Sequence, residues 1–282
     1  MVDVPEFPGR EHWGDLVAAA LAEDLGSGDA TSEAIFPAAQ TGRVRLEART
    51  DLVLSGSPLA ADVFARCGAE YESHAADANA VGPKQVVGYA RGRVIGLLAA
   101  ERTALNFMQR LSGIATQTAR YVAAVAGTRA DIVDTRKTTP GWRALEKYAV
   151  RCGGGVNHRL GLYDAILVKD NHIAAAGGVA AAVQRVRERA APGLLLQVEV
   201  ESLDAAQAAV DGKADSILID NQSPESIREF VERFSGVVTL EASGGVTFET
   251  VRAIAETGVD RISIGALTHS ATASDLAIEW EA

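Results

Sequence analysis

Cationic side chains gather in one stretch of an otherwise acidic chain. The full sequence of 282 residues carries a formal net charge of -10, yet residues 134–172 hold seven Lys or Arg and two His against only four Asp or Glu. Arg136 and Lys169 each follow or end a short apolar run, and His158 and Arg159 follow a run of three glycines. Because α/β folds place ligand-binding groups at the carboxyl ends of buried strands, this spacing predicts a pocket for a small, multiply anionic molecule.

The cations in this stretch are not all expected to bind a ligand. Arg143, Lys147 and Arg151 recur at helical spacing around Glu146, which is typical of an exposed helix face with a structural role. Four other cations at predicted strand and loop ends are different, because Lys and Arg are seldom buried without a partner. We therefore expect an anionic counterpart there; the four are Arg136, Lys137, Arg159 and Lys169.

Acidic side chains end two further apolar runs. Alternation along the run 194–202 places Gln197, Glu199 and Glu201 on one face of a strand, and Asp220 ends the next run. Buried carboxylates without a partner are costly, so Glu199 and Asp220 are expected to meet a metal, a cation or ligand hydroxyls. A purely structural ion pair with a Lys or Arg across the sheet is the alternative.

Two glycine-containing turns follow the last two apolar runs. Glycine allows backbone N–H groups to approach a phosphate closely, and phosphate sites in barrels commonly follow the late strands. Each turn alone is also compatible with an ordinary loop, but the adjacent pair indicates a phosphate site. The residues are Ser243, Gly244 and Gly245 in one turn, and Gly265, Ala266 and Leu267, with His269 nearby, in the other. Cations, carboxylates and glycine amides together suit an aromatic acid and an activated sugar phosphate.

These residues must be positioned by alternating elements. From residue 131 onwards six apolar runs alternate with helical patterns, clearest at 180–189, 203–210, 224–234 and 247–257. Such alternation predicts a parallel sheet with right-handed crossovers, and six units without reversal predict a reduced or irregular α/β barrel.

The chain before about residue 110 is predicted to form a small α+β unit. A helix is predicted at 11–24, short strands at 43–49, 51–54 and 85–95, and a helical piece at 58–67. A further helix at 97–109 is expected to break at 111–114, before another begins at 116.

Composition excludes several classes of protein. The net charge and a pI of about 5.1 argue against general nucleic-acid or anionic-membrane binding. We read no signal peptide at the N-terminus and no apolar run long enough to span a membrane. Cys67 and Cys152 form neither a disulfide framework nor a zinc pattern. A reducing cytoplasm is the expected compartment.

Eight ordered segments between about residues 23 and 270 resemble the quinolinate phosphoribosyltransferase family, the carboxylating nicotinate-nucleotide pyrophosphorylases. They are ERTALNF with LSGIAT, DTRKTTPG, EKYAV with GGG and NHR, LYDAILVKDNH, EVE, ILIDN, EASGG and GALTHS. The early EDLGSGDATS is also similar to the family's N-terminal segment. DTRKTTPG and KDNH together are highly specific. Gln197 departs from the pattern, since many members carry an acid there.

The resemblance implies a fold and an assembly. The expected fold is an N-terminal α/β sandwich at residues 1–112 and an incomplete α/β barrel of six or seven strands at 113–268. A C-terminal segment at 269–282 would pack back towards the N-terminal domain. A homodimer is implied, with active sites shared between subunits.

The resemblance also assigns roles to residues. Arg136, His158, Arg159 and Lys169 would surround the pyridine dicarboxylate, with Thr135 beside them. Arg102 would reach in from the other subunit. Lys137, Glu199 and Asp220 would face phosphoribosyl pyrophosphate and its Mg²⁺, with Glu199 and Asp220 holding the metal directly or through water. The two glycine turns would hold the 5-phosphate. The expected catalytic residues are Lys137, Lys169, Glu199 and Asp220.

The implied reaction is transfer of the phosphoribosyl group to quinolinate with loss of CO₂, giving nicotinate mononucleotide and pyrophosphate in de novo NAD biosynthesis. No organic cofactor is expected. Three alternatives remain open at this point: a barrel aldolase that uses Lys169 as a Schiff-base amine, a related pyrophosphorylase acting on another aromatic base, and a metabolite-binding protein without catalysis.

Overall fold

The computed structural model describes residues 4–281 and divides the chain into two compact units. The first unit contains the chain up to Ala119, the segment Lys137–Gly154 and the chain from Ala266 onwards. The second unit contains Arg120–Arg136 and Gly155–Gly265. Each unit is thus assembled from separate segments, and the domain boundaries expected from the sequence remain predictions.

The second unit is built on a six-stranded parallel sheet. Its strands, named in chain order over the whole protein, are β6 (Asp131–Val133), β7 (Ile166–Val168), β8 (Leu196–Val200), β9 (Ser216–Asp220), β10 (Thr239–Ser243) and β11 (Arg261–Ser263). They pair in the order β6-β11-β10-β9-β8-β7. The predicted incomplete α/β barrel is confirmed, since all six predicted strands form in one parallel sheet.

Helices connect these strands as the alternating pattern predicts. They are α6 (Asp170–Ala176), α7 (Val179–Arg189), α8 (Leu203–Asp211), α9 (Pro224–Phe234) and α10 (Val251–Ala255). Pro224 stands at the start of α9 and the Ser223 side chain accepts a hydrogen bond from the N–H of Ser226, so this helix begins where the sequence indicates. The last predicted helix, 247–257, is shorter in the structure because the Thr250 hydroxyl accepts from Thr247 N and donates to the Thr247 carbonyl oxygen in a turn.

The two faces of the sheet have different chemistry. One face carries aliphatic residues such as Leu196, Val198, Ile217 and Ile219, which are fully buried. On the opposite face, parallel pairing aligns Gln197 with Ser216 and sets Glu241 beside the apolar Leu218, so this face is mostly polar. Strand alternation therefore separates the hydrophobic core from the polar face that carries the candidate site.

The first unit contains a four-stranded antiparallel sheet in the order β12-β1-β5-β3. The strands are β1 (Thr41–Ala48), β3 (Ala69–Ser73), β5 (Val86–Arg93) and β12 (Leu276–Trp280); β2 (Leu52–Val53) and β4 (Ala80–Val81) form a separate short pair. The helices are a 3₁₀ turn (Arg10–His12), α1 (Gly14–Leu25), α2 (Ala30–Ile35), α3 (Ser57–Arg66), α5 (Arg143–Cys152) and α11 (Ala266–His269). Helix α4 (Val94–Ala124) starts in this unit.

The expected break at residues 111–114 does not occur, because α4 runs without interruption from Val94 to Ala124. Gly113 serves close packing instead. A Cβ atom at this position would lie 2.1 Å from the Thr272 carbonyl oxygen and 3.0 Å from Ala273 Cα. Ser112 also has a tertiary role, since its hydroxyl accepts a hydrogen bond from Ser55 N over 3.0 Å. The apparent helix-breaking residues are therefore contact residues.

The expectation that α5 presents an exposed charged face is wrong. Glu146 is fully buried and Lys147 is only 3 % exposed, while Arg143 and Arg151 are half-buried. The Glu146 carboxylate accepts hydrogen bonds from Arg110 Nη2 at 2.8 Å, Thr139 N at 3.0 Å and Thr139 Oγ1 at 2.9 Å. A buried charge paired in this way is compatible with the core, so the charge pattern reflects tertiary pairing.

Candidate functional site

The carboxyl ends of the six parallel strands bring together the predicted site residues of the second unit. Arg136 follows β6, Lys169 follows β7, Glu199 lies in β8, Asp220 ends β9 and Ser243 ends β10. Gly265 lies two residues beyond the last residue of β11. Because strands of a parallel sheet point the same way, all these residues lie along one edge, where α/β proteins bind their ligands.

Two arginines form a cationic part of this edge. The Arg159 guanidinium donates to the Ala165 carbonyl oxygen over 3.1 Å and is half-buried. Burial lowers the pKa of Arg159, and the neighbouring positive charge of Arg136 lowers it further, while Asp164 acts in the opposite direction. Two guanidinium groups that repel each other in a partly buried setting favour an anionic ligand between them.

The Asp164 side chain holds the segment from Arg159 to Asp164 in a turn. The Asp164 carboxylate accepts hydrogen bonds from Leu160 N at 2.6 Å and Gly161 N at 2.8 Å. These bonds fold the loop after Arg159 into a compact turn, which leaves Leu162 and Tyr163 exposed.

Lys169 and Glu199 form an ion pair, with 3.1 Å between Nζ and Oε2. The Lys169 side chain is 48 % exposed and the Glu199 side chain 14 % exposed. The pair therefore opens to solvent at its cationic end, where a ligand anion can compete for the ammonium. The predicted structural alternative for Glu199 and its predicted functional role are both compatible with this pairing.

The ends of β9 and β10 are tied together by backbone and side-chain contacts. Asn221 has a positive φ of 52°, donates its backbone N–H to the Ser243 carbonyl oxygen and donates its side-chain amide to Asp220 Oδ2 over 2.6 Å. Gly244 has a φ of 90°, and a Cβ there would lie 2.2 Å from the Asn221 side-chain oxygen. This position therefore requires glycine for both conformation and space.

His158 uses both ring nitrogens within the protein. Its Nδ1 accepts a hydrogen bond from Arg159 N over 2.7 Å, and its Nε2 lies 2.8 Å from Gln197 Oε1. The fully buried Asp134 accepts a hydrogen bond at Oδ1 from the His158 backbone N–H and at Oδ2 from the Asn157 side-chain amide. The segment that carries His158 and Arg159 is thus fixed to the end of β6.

A buried polar cluster lies behind His158. Glu241 in β10 is 1 % exposed and Gln197 in β8 is 7 % exposed. Gln197 Nε2 donates to Glu241 Oε2 over 3.0 Å, and the Ser263 hydroxyl donates to Glu241 Oε1. His158 Nε2 is 3.6 Å from Glu241 Oε1. Asp134, Glu241 and Ser263 were not predicted as functional residues. For Glu241 and Ser263, the available signal was the polar residues at alternate positions of β10 and β11.

The remaining predicted residues belong to the first unit. Arg102 is exposed on α4, and Lys137 is exposed just before α5, where its carbonyl oxygen accepts a hydrogen bond from Thr268 Oγ1 over 2.7 Å. Ala266 and Leu267 open α11, and His269 ends it with its ring against the Ser270 hydroxyl. Their predicted roles stay predictions.

The acidic residues suit a metal that arrives with a phosphate. Among residues 4–281 there is no group of three or more His, Cys, Asp or Glu side chains able to hold a metal ion. Glu199 and Asp220 supply two carboxylates on neighbouring strands. Mg²⁺ usually keeps several waters and binds one or two carboxylates together with substrate phosphates, so these two residues fit that mode of binding.

The chain matches two family models over nearly its whole length. The N-terminal domain of quinolinate phosphoribosyl transferase matches residues 29–112, and the C-terminal domain matches residues 114–279. This chain belongs to the quinolinate phosphoribosyltransferase family. The resemblance expected from the sequence motifs is therefore confirmed.

Individual members of the family agree with this assignment. The chain is 42 % identical to the nicotinate-nucleotide pyrophosphorylase [carboxylating] of Mycobacterium leprae, over 94 % of this chain and 96 % of that protein. It is 40 % identical to a probable enzyme of the same name from Bacillus subtilis, over 91 % and 89 %. The solved nicotinate-nucleotide pyrophosphorylase of Francisella tularensis superposes with a TM-score of 0.94 at 38 % identity and covers 100 % of both chains.

No helix within residues 4–281 is both long and apolar enough to cross a bilayer.

Proposed function

We propose that this chain transfers the phosphoribosyl group of phosphoribosyl pyrophosphate to quinolinate, with decarboxylation, in de novo NAD biosynthesis. The observation that carries the proposal is the arrangement of the strand ends in the second unit. Two mutually repelling arginines, a half-exposed lysine and two carboxylates lie along one edge of a parallel sheet, in a chain of this family.

The cations provide the binding energy for a dicarboxylate. Arg136 and Arg159 suit bidentate hydrogen bonds to carboxylate oxygens, and Lys169 offers its exposed ammonium as a third positive charge. His158 lies beside Arg159 in this group. Joining two anions is electrostatically unfavourable, so holding them in register is expected to supply a large part of the rate acceleration.

The carboxylates suit the charge that develops on the sugar. The pyridine nitrogen attacks C1 of the ribose as pyrophosphate departs, and positive charge builds on the ribose ring. Glu199 and Asp220 can stabilise that charge. They are also the residues proposed to hold Mg²⁺, which supplies charge neutralisation for the leaving pyrophosphate. Lys137 and the two glycine turns are assigned to the phosphates by family resemblance.

Decarboxylation follows from the chemistry of the new bond. Once the ring nitrogen is quaternary, its positive charge stabilises the carbanion left at the adjacent carbon when the 2-carboxylate leaves as CO₂. A proton from solvent then takes the place of the carboxylate on that carbon. The protein holds the other carboxylate during this step, for which Arg136 and Arg159 are proposed.

The direct test is an assay with quinolinate, phosphoribosyl pyrophosphate and Mg²⁺. Release of CO₂ from quinolinate labelled at the 2-carboxylate should match formation of nicotinate mononucleotide one for one. Turnover of nicotinate but not quinolinate would contradict the proposed substrate. Binding of both substrates without product would contradict catalysis.

Arg136→Ala tests the dicarboxylate site within that assay. The KM for quinolinate should rise at least about thirtyfold, because losing one partner of a buried charge pair costs about 2 kcal/mol or more, while the KM for phosphoribosyl pyrophosphate changes little. Arg185→Ala, an exposed arginine on α7, is the matched control. Equal increases in both KM values would contradict the role of Arg136.

We also propose a homodimer whose sites take Arg102 from the partner subunit, in the cytoplasm. The exposed position of Arg102 on α4 supports the shared site. The free thiols of Cys67 and Cys152 support a reducing cytoplasm. Inactive Arg102→Ala and inactive Lys169→Ala proteins should regain part of the activity when their subunits are mixed. If subunit exchange is demonstrated and no activity returns, the shared site is wrong.

A further inference from the structure

A continuous set of hydrogen bonds connects Glu241 to the backbone of Arg159. Ser263 and Gln197 donate to the Glu241 carboxylate, Gln197 Oε1 meets His158 Nε2 at 2.8 Å, and His158 Nδ1 meets Arg159 N at 2.7 Å. All of these residues belong to the second unit. Glu241, Ser263 and Gln197 are at most 7 % exposed, so this part of the set lies in the protein interior.

The direction of every bond in this set follows from its carboxylate end. Both Glu241 carboxylate oxygens accept, one from the Ser263 hydroxyl and the other from the NH₂ group that the Gln197 amide turns towards it. Its carbonyl oxygen then faces His158 and requires the imidazole to carry hydrogen on Nε2. The opposite nitrogen, Nδ1, is left with a lone pair, and the Arg159 backbone N–H donates to it.

We infer that Gln197 and Glu241 fix the tautomer and ring orientation of His158, and that His158 is a positioning residue for Arg159. The inference rests on the proposed function, in which Arg159 binds the dicarboxylate. It changes the role expected for His158, because its Nδ1 accepts from the Arg159 backbone and its Nε2 pairs with Gln197.

The position of Arg159 explains why such support is useful. Its side chain is partly buried beside the like charge of Arg136, and repulsion favours conformations that separate the two guanidinium groups. The bond to His158 Nδ1 fixes the backbone of Arg159, and the bond to the Ala165 carbonyl fixes its guanidinium. Rigid support of this kind keeps a binding group in its productive geometry before the ligand arrives.

Nitrogen-15 NMR of the imidazole groups tests the inference without any turnover. The chain has five His, and the His158 signals are assigned by their loss in His158→Gln. In the ligand-free wild-type protein at neutral pH, His158 should show one neutral tautomer, protonated on Nε2. An imidazolium, or hydrogen on Nδ1, would overturn the inference.

Gln197→Met removes the amide's hydrogen bonds to His158, Glu241 and Ser216 at nearly constant volume. The His158 signals should then move towards the average of the two tautomers, and the KM for quinolinate should rise about tenfold, the size of one lost buried hydrogen bond. The KM for phosphoribosyl pyrophosphate and kcat should change less than about twofold. Unchanged His158 signals together with an unchanged KM for quinolinate would overturn the inference.

Two further variants keep the test decisive. Gln207→Met, an exchange of the same kind on α8, should leave the His158 signals in place. Glu241→Gln preserves volume but allows either orientation of the Gln197 amide, so it should also mix the tautomers if Gln197→Met does not fold. A wild-type protein that does not turn over quinolinate would contradict the proposed function, whereas the NMR result stands independently.

Discussion

Replacing Glu146 by Gln should destabilise the protein far more than its position in a charged helix pattern indicates. The Glu146 carboxylate is fully buried and accepts three hydrogen bonds, one from Arg110 and two from Thr139. A glutamine of the same shape has one accepting oxygen and one donating NH₂ group. It therefore loses the ion pair and places its amide hydrogens against at least one of these donors.

The size of the effect follows from burial. Breaking a buried ion pair on one side typically costs about 3–5 kcal/mol. Arg110 keeps acceptors in the carbonyl oxygens of Thr268 and Ala271, and its side chain is 26 % exposed. We therefore expect the lower end, about 3 kcal/mol. For a protein of this size class, that corresponds to a melting temperature lower by roughly 6–12 °C.

Scanning calorimetry of two matched variants provides the measurement. Glu256→Gln also removes a glutamate paired with an arginine, but this glutamate is 53 % exposed and forms an i,i+4 surface pair with Arg252. Such pairs contribute about 0.5 kcal/mol or less, so its melting temperature should fall by less than about 2 °C. Similar decreases for Glu146→Gln and Glu256→Gln would refute the assignment of Glu146 as a buried anchor.

Three other predictions concern glycines and thiols. Gly244→Ala should raise the KM for phosphoribosyl pyrophosphate strongly, because a Cβ there would meet Asn221. Gly245→Ala should have a smaller effect, because no atom lies within 4 Å of its Cβ. Steady-state kinetics that give the reverse order would contradict this prediction. Gly113→Ala should lower the melting temperature because its Cβ would overlap a backbone carbonyl, although Ala is more favourable than Gly in a helix by about 1 kcal/mol. A higher melting temperature would contradict this prediction and show that the chain relaxes there. Burial raises the pKa of Cys152 to about 11, so roughly one thiol in a thousand is ionised near pH 8. Iodoacetamide should therefore label Cys152 only after the protein is denatured. Rapid labelling of the folded protein, detected by mass spectrometry, would contradict the burial of Cys152.

Much of the second unit follows from local signals in the sequence. Side chains of a strand alternate between two faces, so the position of Glu199 beside the apolar Val198 and Val200 already indicates which face it occupies. The α9 boundaries follow from Ser223 and Pro224, which act within a few residues. These features are predictable because each depends on neighbours along the chain.

Other features depend on residues far away in the sequence. Gly113 resembles a helix breaker until Thr272 is seen against it, and Glu146 resembles a surface residue until Arg110 and Thr139 surround it. Charge spacing on one helix cannot report which side of the helix faces the core when the partner belongs to another segment. These two predictions were wrong for that reason.

The sequence by itself determined the kinds of groups at the strand ends and the order in which the strands follow one another. Composition, apolar periodicity and the motifs around Lys169 and Arg136 were sufficient for this. The tertiary structure decided which groups pair: Lys169 with Glu199, Asn221 with Asp220, and Gln197 between His158 and Glu241. Hydrogen-bond partners depend on distance and direction between strands that are far apart in the chain, and only the folded sheet fixes them.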